Sequence, residues 1–179
     1  MRTAEDRLPG DLTARQLIDR IIRVDHAGEY GARRIYEGQL AVLGRHPKIE
    51  HMAQQEREHL ARFEKMVVER RVRPTLLTPI WHVAGFALGA ATALLGEKAA
   101  MACTEAVEEV IDEHYANQHA SLGDEEGELK TVIEQFRAEE IEHRDTARAE
   151  GAAEAPAYPV LSAAIKQASR LAIWVAERV

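Results

Sequence analysis

Residues 129–147 read LKTVIEQFRAEEIEHRDTA, and residues 49–66 read IEHMAQQEREHLARFEKM. In the first stretch Leu129, Ile133, Phe136, Glu140, His143 and Ala147 follow one another at spacings of three and four. In the second, Ile49, Met52, Glu56, His59, Phe63 and Met66 do the same. Such spacings keep side chains on one face of an α-helix, and an apolar face of that kind is the buried one. Each stretch is therefore an amphipathic helix that carries a Glu-x-x-His inside its own apolar stripe.

Two further stripes complete the pattern. One runs through Ile18, Ile22, Asp25, Glu29, Ala32 and Tyr36, the other through Met101, Thr104, Glu108, Ile111 and Tyr115. Each half of the chain thus supplies a lone Glu and, about thirty residues later, a Glu-x-x-His. Glu29, Glu56 and His59 belong to the first half, and Glu108, Glu140 and His143 to the second. The motif alone is unspecific in a chain this rich in Glu, with 8 histidines; its position on the buried stripes is what carries weight. Four carboxylates facing one core are strongly disfavoured unless protonated, paired with cations or bound to metal. No Lys or Arg lies on these stripes through the ligand positions. Two divalent ions would supply the missing positive charge, and a Glu from each of two helices plus a Glu-x-x-His from each of the other two is how ferritin-like bundles hold a pair of metals. Mixed carboxylate and imidazole ligands suit iron. Glu58, Glu109, Glu139 and Glu142 fall off the stripes and are expected to be solvated.

The remaining composition sets the frame. The 179 residues suit one domain, helix formers dominate, and the fold class is all-α: a ferritin-like four-helix bundle with a di-iron carboxylate centre. A net charge of −7 argues against an extended nucleic-acid surface. The single cysteine, Cys103, excludes an intramolecular disulfide, suits a reducing compartment and is expected to pack in the core. The polar, acidic first twenty residues resemble neither a secretory signal nor an intact transit peptide.

Residues 1–11 read as a flexible arm, and residues 12–179 as a single helical domain. Thr13 offers a helix start, Pro47 opens the second helix, Asp124 is a candidate N-cap, and a last helix is expected over 160–178. Gly28 and Gly31 flank Glu29, suggesting close approach of a helix or a ligand. From Pro74 to Gly96 there is no Asp, Glu, Lys or Arg. That length matches a bilayer span, but Pro74, Pro79, Gly85, Gly89 and Gly96 interrupt it. A true crossing would also separate the two metal-bearing halves. The segment is expected to lie in the membrane interface or to form an exposed apolar mouth to the bundle, without spanning. Lys65, Arg70, Arg71 and Arg73 precede it, as expected beside anionic headgroups. The last helix carries Leu161, Ile165, Ala168, Leu171 and Val175 on one face, suited either to the interface or to ordinary packing.

The strings Val24-Asp-His-Ala-Gly-Glu-Tyr-Gly-Ala32, Arg71-Val-Arg-Pro-Thr75, Gly85-Phe-Ala-Leu-Gly89, Thr92-Ala-Leu-Leu-Gly96, Met101-Ala-Cys-Thr104 and Ala155-Pro-Ala-Tyr158 resemble those of the demethoxyubiquinone hydroxylases of ubiquinone biosynthesis. The resemblance covers nearly the whole chain from about residue 12. It implies that Glu29, Glu56, His59, Glu108, Glu140 and His143 ligate two iron ions. It further implies a monooxygenase that adds a hydroxyl to the ring of a polyprenylated quinol, with dioxygen as oxidant and NADH as electron source. It places the chain on the cytoplasmic face of a bacterial inner membrane, or the matrix face of the mitochondrial one. A lipid-binding partner or self-association through the apolar segment is expected, and no nucleic acid.

Behind the ligands, Asp25, Asp112, His114, Tyr115 and Asp145 are candidates to support the centre. Asp25, one turn before Glu29, is the preferred group to orient a ligating histidine; Tyr115 is placed to touch substrate or carry an electron. His26, His46, His51, His82 and His119 read as surface or packing histidines. No Gly-x-Gly-x-x-Gly fingerprint is present. The alternatives are a rubrerythrin-type di-iron oxidase or peroxidase and a quinone- or lipid-binding membrane scaffold. A tRNA-hydroxylating enzyme is disfavoured by the charge.

Overall fold

A computed structural model describes Leu8 and residues 10–179; the expected arm, 1–11, lies largely outside the described residues. Six α-helices are present: α1 (Ala14–Leu43), α2 (Pro47–Arg70), α3 (Thr78–Leu94), α4 (Glu97–Ser121), α5 (Gly127–Ala149) and α6 (Tyr158–Ala176). Among the described residues there is no strand.

The ends follow local chemistry. Thr13 caps α1 in a capping box with Gln16, satisfying two backbone donors at once. Pro47 sits in the first turn of α2, where its missing N–H costs nothing, and His46 caps it by accepting from Ile49 N. Asp124 does not cap α5 as expected: it starts a 3-10 turn, Asp124–Glu126, and α5 begins only at Gly127. Two acids of that turn face basic side chains instead: Asp124 lies 3.4 Å from Lys130 and Glu126 2.5 Å from Arg70.

Chain order gives two similar triplets. α1 packs on α2 and α3, while α4 packs on α5 and α6. The four long helices α1, α2, α4 and α5 enclose a core of Ile22, Phe63, Met66, Leu129, Ile133 and Phe136 at one end and Ile49, Met52, Ala99, Met101 and Ala147 at the other. The functional side chains lie between these two apolar plugs.

α3 and α6 are the outer helices. No helix of the described residues is long and apolar enough to cross a membrane, and the 17 residues of α3 span only about 25 Å. α3 lies against α1 backbone to backbone. A Cβ on Gly89 would meet the Ile35 carbonyl, and one on Gly38 the Phe86 carbonyl. The α6 stripe read from the sequence divides in the structure. Ile165 is buried against α4 while Leu171 is exposed, so α6 has one packed and one open apolar side. Of the basic cluster before α3, Arg70 is committed to Glu126 and Glu128, and Lys65 pairs with Glu69; Arg71 and Arg73 stay exposed.

Candidate metal centre

All six sequence-selected residues converge. Ligating atoms of Glu29, Glu56, His59 and Glu140 lie within 4.8 Å of one another, and so do those of Glu56, Glu108, Glu140 and His143. Glu56 and Glu140 belong to both quartets. Each of the six is at most 4% exposed. The arrangement follows from four helices, each delivering its acid at the same level of the bundle.

The imidazoles share one orientation. Nδ1 of His59 lies 3.3 Å from Glu29 and 3.1 Å from Glu140, and Nδ1 of His143 lies 3.4 Å from Glu56 and 3.0 Å from Glu140. Neither Nδ1 has a hydrogen-bond partner, nor do Glu29 Oε2, both oxygens of Glu56 or Glu140 Oε2. Buried polar atoms are nearly always satisfied, so this many orphans aimed at one point fit a pair of metal ions. Burial and the neighbouring carboxylates hold Glu56 and Glu108 well above the usual carboxylate range. Glu140 goes the other way. Against the upward push of burial, the two adjacent imidazoles hold it down to about 2.

Two tyrosines cross the centre. Tyr36 on α1 donates to Glu108 Oε1 on α4 at 2.8 Å, and Tyr115 on α4 donates to Glu29 Oε1 on α1. Each lone glutamate therefore has one oxygen held by the opposite helix. Tyr115 was among the expected residues; Tyr36 was not. Its signal was in the register: Tyr36 follows Glu29 by seven residues, as Tyr115 follows Glu108. Burial pushes both phenols well above their usual range.

The expected support from aspartates is corrected. Asp25 touches neither ligating histidine. It accepts from Gln118 at 2.7 Å and lies 3.3 Å from His114 Nε2, and burial raises its carboxyl above the usual range. It is buried, as its stripe predicts, but one turn along α1 carries it to the level of His114 rather than of His59. Asp112 is bound by Arg137 and Arg144, and Asp145 is a half-exposed partner of Arg144 and Arg148. The histidines are held instead by Glu139, an off-stripe residue expected to be solvated, and by Gln55, which the stripes do not select. His59 Nε2 meets Glu139 at 2.7 Å, and His143 Nε2 meets Gln55 at 3.0 Å. Both partners sit immediately before a Glu-x-x-His, where an off-stripe position still reaches the neighbouring helix. Hydrogen bonds from His59 and Gln135 outweigh burial and hold Glu139 below its usual value.

The five other histidines stay out of the centre; His46 caps α2 and His82 bonds the Tyr30 hydroxyl at 2.7 Å. Cys103 is fully buried, and burial pushes its thiol up to about 12, in keeping with a packing role.

A cavity of about 220 Å³ opens onto the carboxylates. Its walls come from α1, α3, α4 and α6, with Glu29, Glu56, Glu108, Glu140 and Tyr115 at its inner end and Trp81, Ile173 and Ala176 among its apolar walls. Asp25 and His114 also face it. A Cβ on Gly28 or Gly31 would meet nothing within 4 Å, and both residues line the space. At these two glycines, then, absent side chains make room for a ligand. Ala84 and Ala168 line the cavity while exposed, which places its mouth between α3 and α6.

Residues 16–176 match the family model described as Ubiquinone biosynthesis protein COQ7. The chain is 64% identical over 182 residues to the 3-demethoxyubiquinol 3-hydroxylase of Rhodospirillum rubrum, covering 99% of this chain and 86% of that protein. It is 54% identical over 175 residues to the NADPH-dependent 3-demethoxyubiquinone 3-hydroxylase, mitochondrial, of Homo sapiens, covering 94% and 81%. Against the 5-demethoxyubiquinone hydroxylase, mitochondrial, of Saccharomyces cerevisiae it is 44% identical over 182 residues, covering 90% and 78%.

Proposed function

The chain belongs to the COQ7 family of ubiquinone biosynthesis proteins and is a hydroxylating enzyme, and on that premise we propose that it hydroxylates the ring of a polyprenylated demethoxyubiquinol at a pair of iron ions. The observation that carries this reading is the meeting of two things at one point: eight converging ligand positions, Glu56 and Glu140 counted twice, and an apolar cavity that ends on them. An oxidase or peroxidase needs the first but not the second.

In this ferritin-like arrangement Glu29 and His59 would hold one iron and Glu108 and His143 the other, with Glu56 and Glu140 within reach of both. When bound, the irons supply the activation of dioxygen that delivers one oxygen atom to the ring. The protein does the rest. Tyr36 and Tyr115 each fix one oxygen of a lone glutamate and leave the second directed inward. The apolar walls admit the ring and keep water from it, and the space left by Gly28 and Gly31 lets the ring approach Glu29. Tyr115, bonded to Glu29 and facing the cavity, is placed to meet a quinol oxygen.

Electrons come from outside the bundle, since the sequence offers no dinucleotide fingerprint. NADH is the expected donor, whereas the human relative's name specifies NADPH; a reduced nicotinamide is common to both. The substrate's prenyl tail lies in lipid, and the exposed Ile80 and Val83 on α3 and Leu171 and Trp174 on α6 seat the cavity mouth on the membrane surface. The face is the cytoplasmic one in a bacterium, or the matrix face in a mitochondrion, with a lipid-binding partner or a second copy able to cover the same side chains.

The test is turnover by iron-loaded protein on vesicles carrying a demethoxyubiquinol, with NADH or NADPH. Glu108→Ala should lose hydroxylation yet keep vesicle binding. Retained hydroxylation in that variant would contradict the proposal.

A further inference from the structure

The outward nitrogens of the two histidines are joined by a chain of side chains. Nε2 of His59 lies 2.7 Å from Oε2 of Glu139, and the same oxygen accepts from Gln55 Nε2 at 3.5 Å. The other end of the Gln55 amide, Oε1, lies 3.0 Å from Nε2 of His143. Gln135 Nε2 donates to the second oxygen of Glu139 at 3.0 Å. Chemistry fixes the direction of every link. An ionised carboxylate only accepts and so does an amide oxygen, so both histidines donate Nε2–H. Both rings are thereby anchored through Nε2, which turns Nδ1 inward, where it can take a metal once any proton on it is released.

The two rings are not supported alike. His59 donates to a carboxylate, whereas His143 donates to a neutral amide that leans on that same carboxylate. Hydrogen bonds to an ionised acceptor are shorter and stronger, and the distances follow that order. A histidine that donates to a carboxylate is also a more basic ligand. We infer that Glu139 and Gln55 are positioning residues that make the two metal positions unequal, the His59 position binding its ion more tightly, with the side-chain chain from His59 to His143 coupling them. Gln55 and Glu139 each precede a shared glutamate, Glu56 and Glu140. The turn that sends a shared carboxylate inward thus also supports the opposite histidine. This inference rests on the metal-centre reading proposed above.

The test is a cobalt(II) titration followed by visible absorption. His143→Ala keeps the His59 quartet, and His59→Ala keeps the His143 quartet. The first should bind cobalt about tenfold more tightly or better. Adding Glu139→Gln to His143→Ala should remove that advantage, and adding Gln55→Glu to His59→Ala should raise affinity by a similar factor. A second reading depends on neither histidine variant. In zinc-loaded wild-type protein the His59 Nε2 proton should resonate further downfield than that of His143, and Glu139→Gln should move it upfield. Equal affinities and equal proton shifts would overturn the inference and leave the metal centre standing. No cobalt binding by any protein, wild type included, would overturn both.

Discussion

The first triplet of helices, α1 to α3, and the second, α4 to α6, place the same residues at the same level, yet their outer helices are fastened by different physics. α3 meets α1 through glycines: Gly85 against Gly31, Gly89 against Ile35, and Gly38 against Phe86 and Ala90. α6 meets α4 through side chains: Ile165 packs beside Cys103 and Ala106, Lys166 pairs with Glu109, and Tyr158 donates to the buried Glu105 at 2.8 Å. The tyrosines differ as well. Tyr115 faces the cavity, while Tyr36 is sealed against Met52. A repeated Glu and Glu-x-x-His pattern builds the candidate centre, and its unequal surroundings open it between α3 and α6.

The largest effect should come where the halves overlap. Glu140→Ala removes a ligand from both quartets and should abolish binding of both ions, whereas Glu29→Ala and Glu108→Ala should each weaken one; metal content after dialysis distinguishes them. If Glu140→Ala retained a full complement of metal, the shared role would be wrong.

Next comes the fastening of the outer helices. Gly89→Ala drives a methyl into the Ile35 carbonyl and should cost about 1–3 kcal/mol, read as a lower denaturant midpoint. Lys166→Ala on the other side removes a part-exposed ion pair and should cost about 0–1 kcal/mol. Similar losses in the two variants would erase the distinction between the triplets.

The tyrosines sharpen the comparison at the site. Each Tyr→Phe change removes a hydrogen bond to a carboxylate, about 1.5–3 kcal/mol where that group is ionised. Tyr36→Phe should weaken metal binding at the Glu108 quartet without changing KM for the quinol, while Tyr115→Phe should change both.

Of smaller size is the proton count. Burial and adjacent carboxylates raise Glu56 and Glu108 well above the usual carboxylate range in the metal-free protein, which favours their protonated forms. Those protons must leave when metal enters, so affinity should climb as pH rises. A titration of zinc affinity that falls over the same rise would contradict the direction.

Much of this was legible in the sequence for one reason: the buried stripe of a helix is periodic, and an acid on it stands out. The convergence of the six residues follows from that rule, while the starts of α1 and α2 follow from Thr13 and Pro47. What was hidden depends on how helices stack. Asp25 lies on the right stripe but meets His114, because depth along the bundle axis is set by tertiary packing. Glu139 is off the stripe, yet an α2–α5 neighbour brings it to His59. α6 has two apolar sides, and periodicity shows their presence without saying which one another helix covers.

The most direct measurement is a single turnover of reduced, iron-loaded protein on vesicles with a demethoxyubiquinol and isotopically labelled dioxygen, the product read by mass. One labelled oxygen atom in the quinone ring is the predicted result. Dioxygen consumed with the quinone unmodified would contradict the account and return the site to an oxidase or peroxidase.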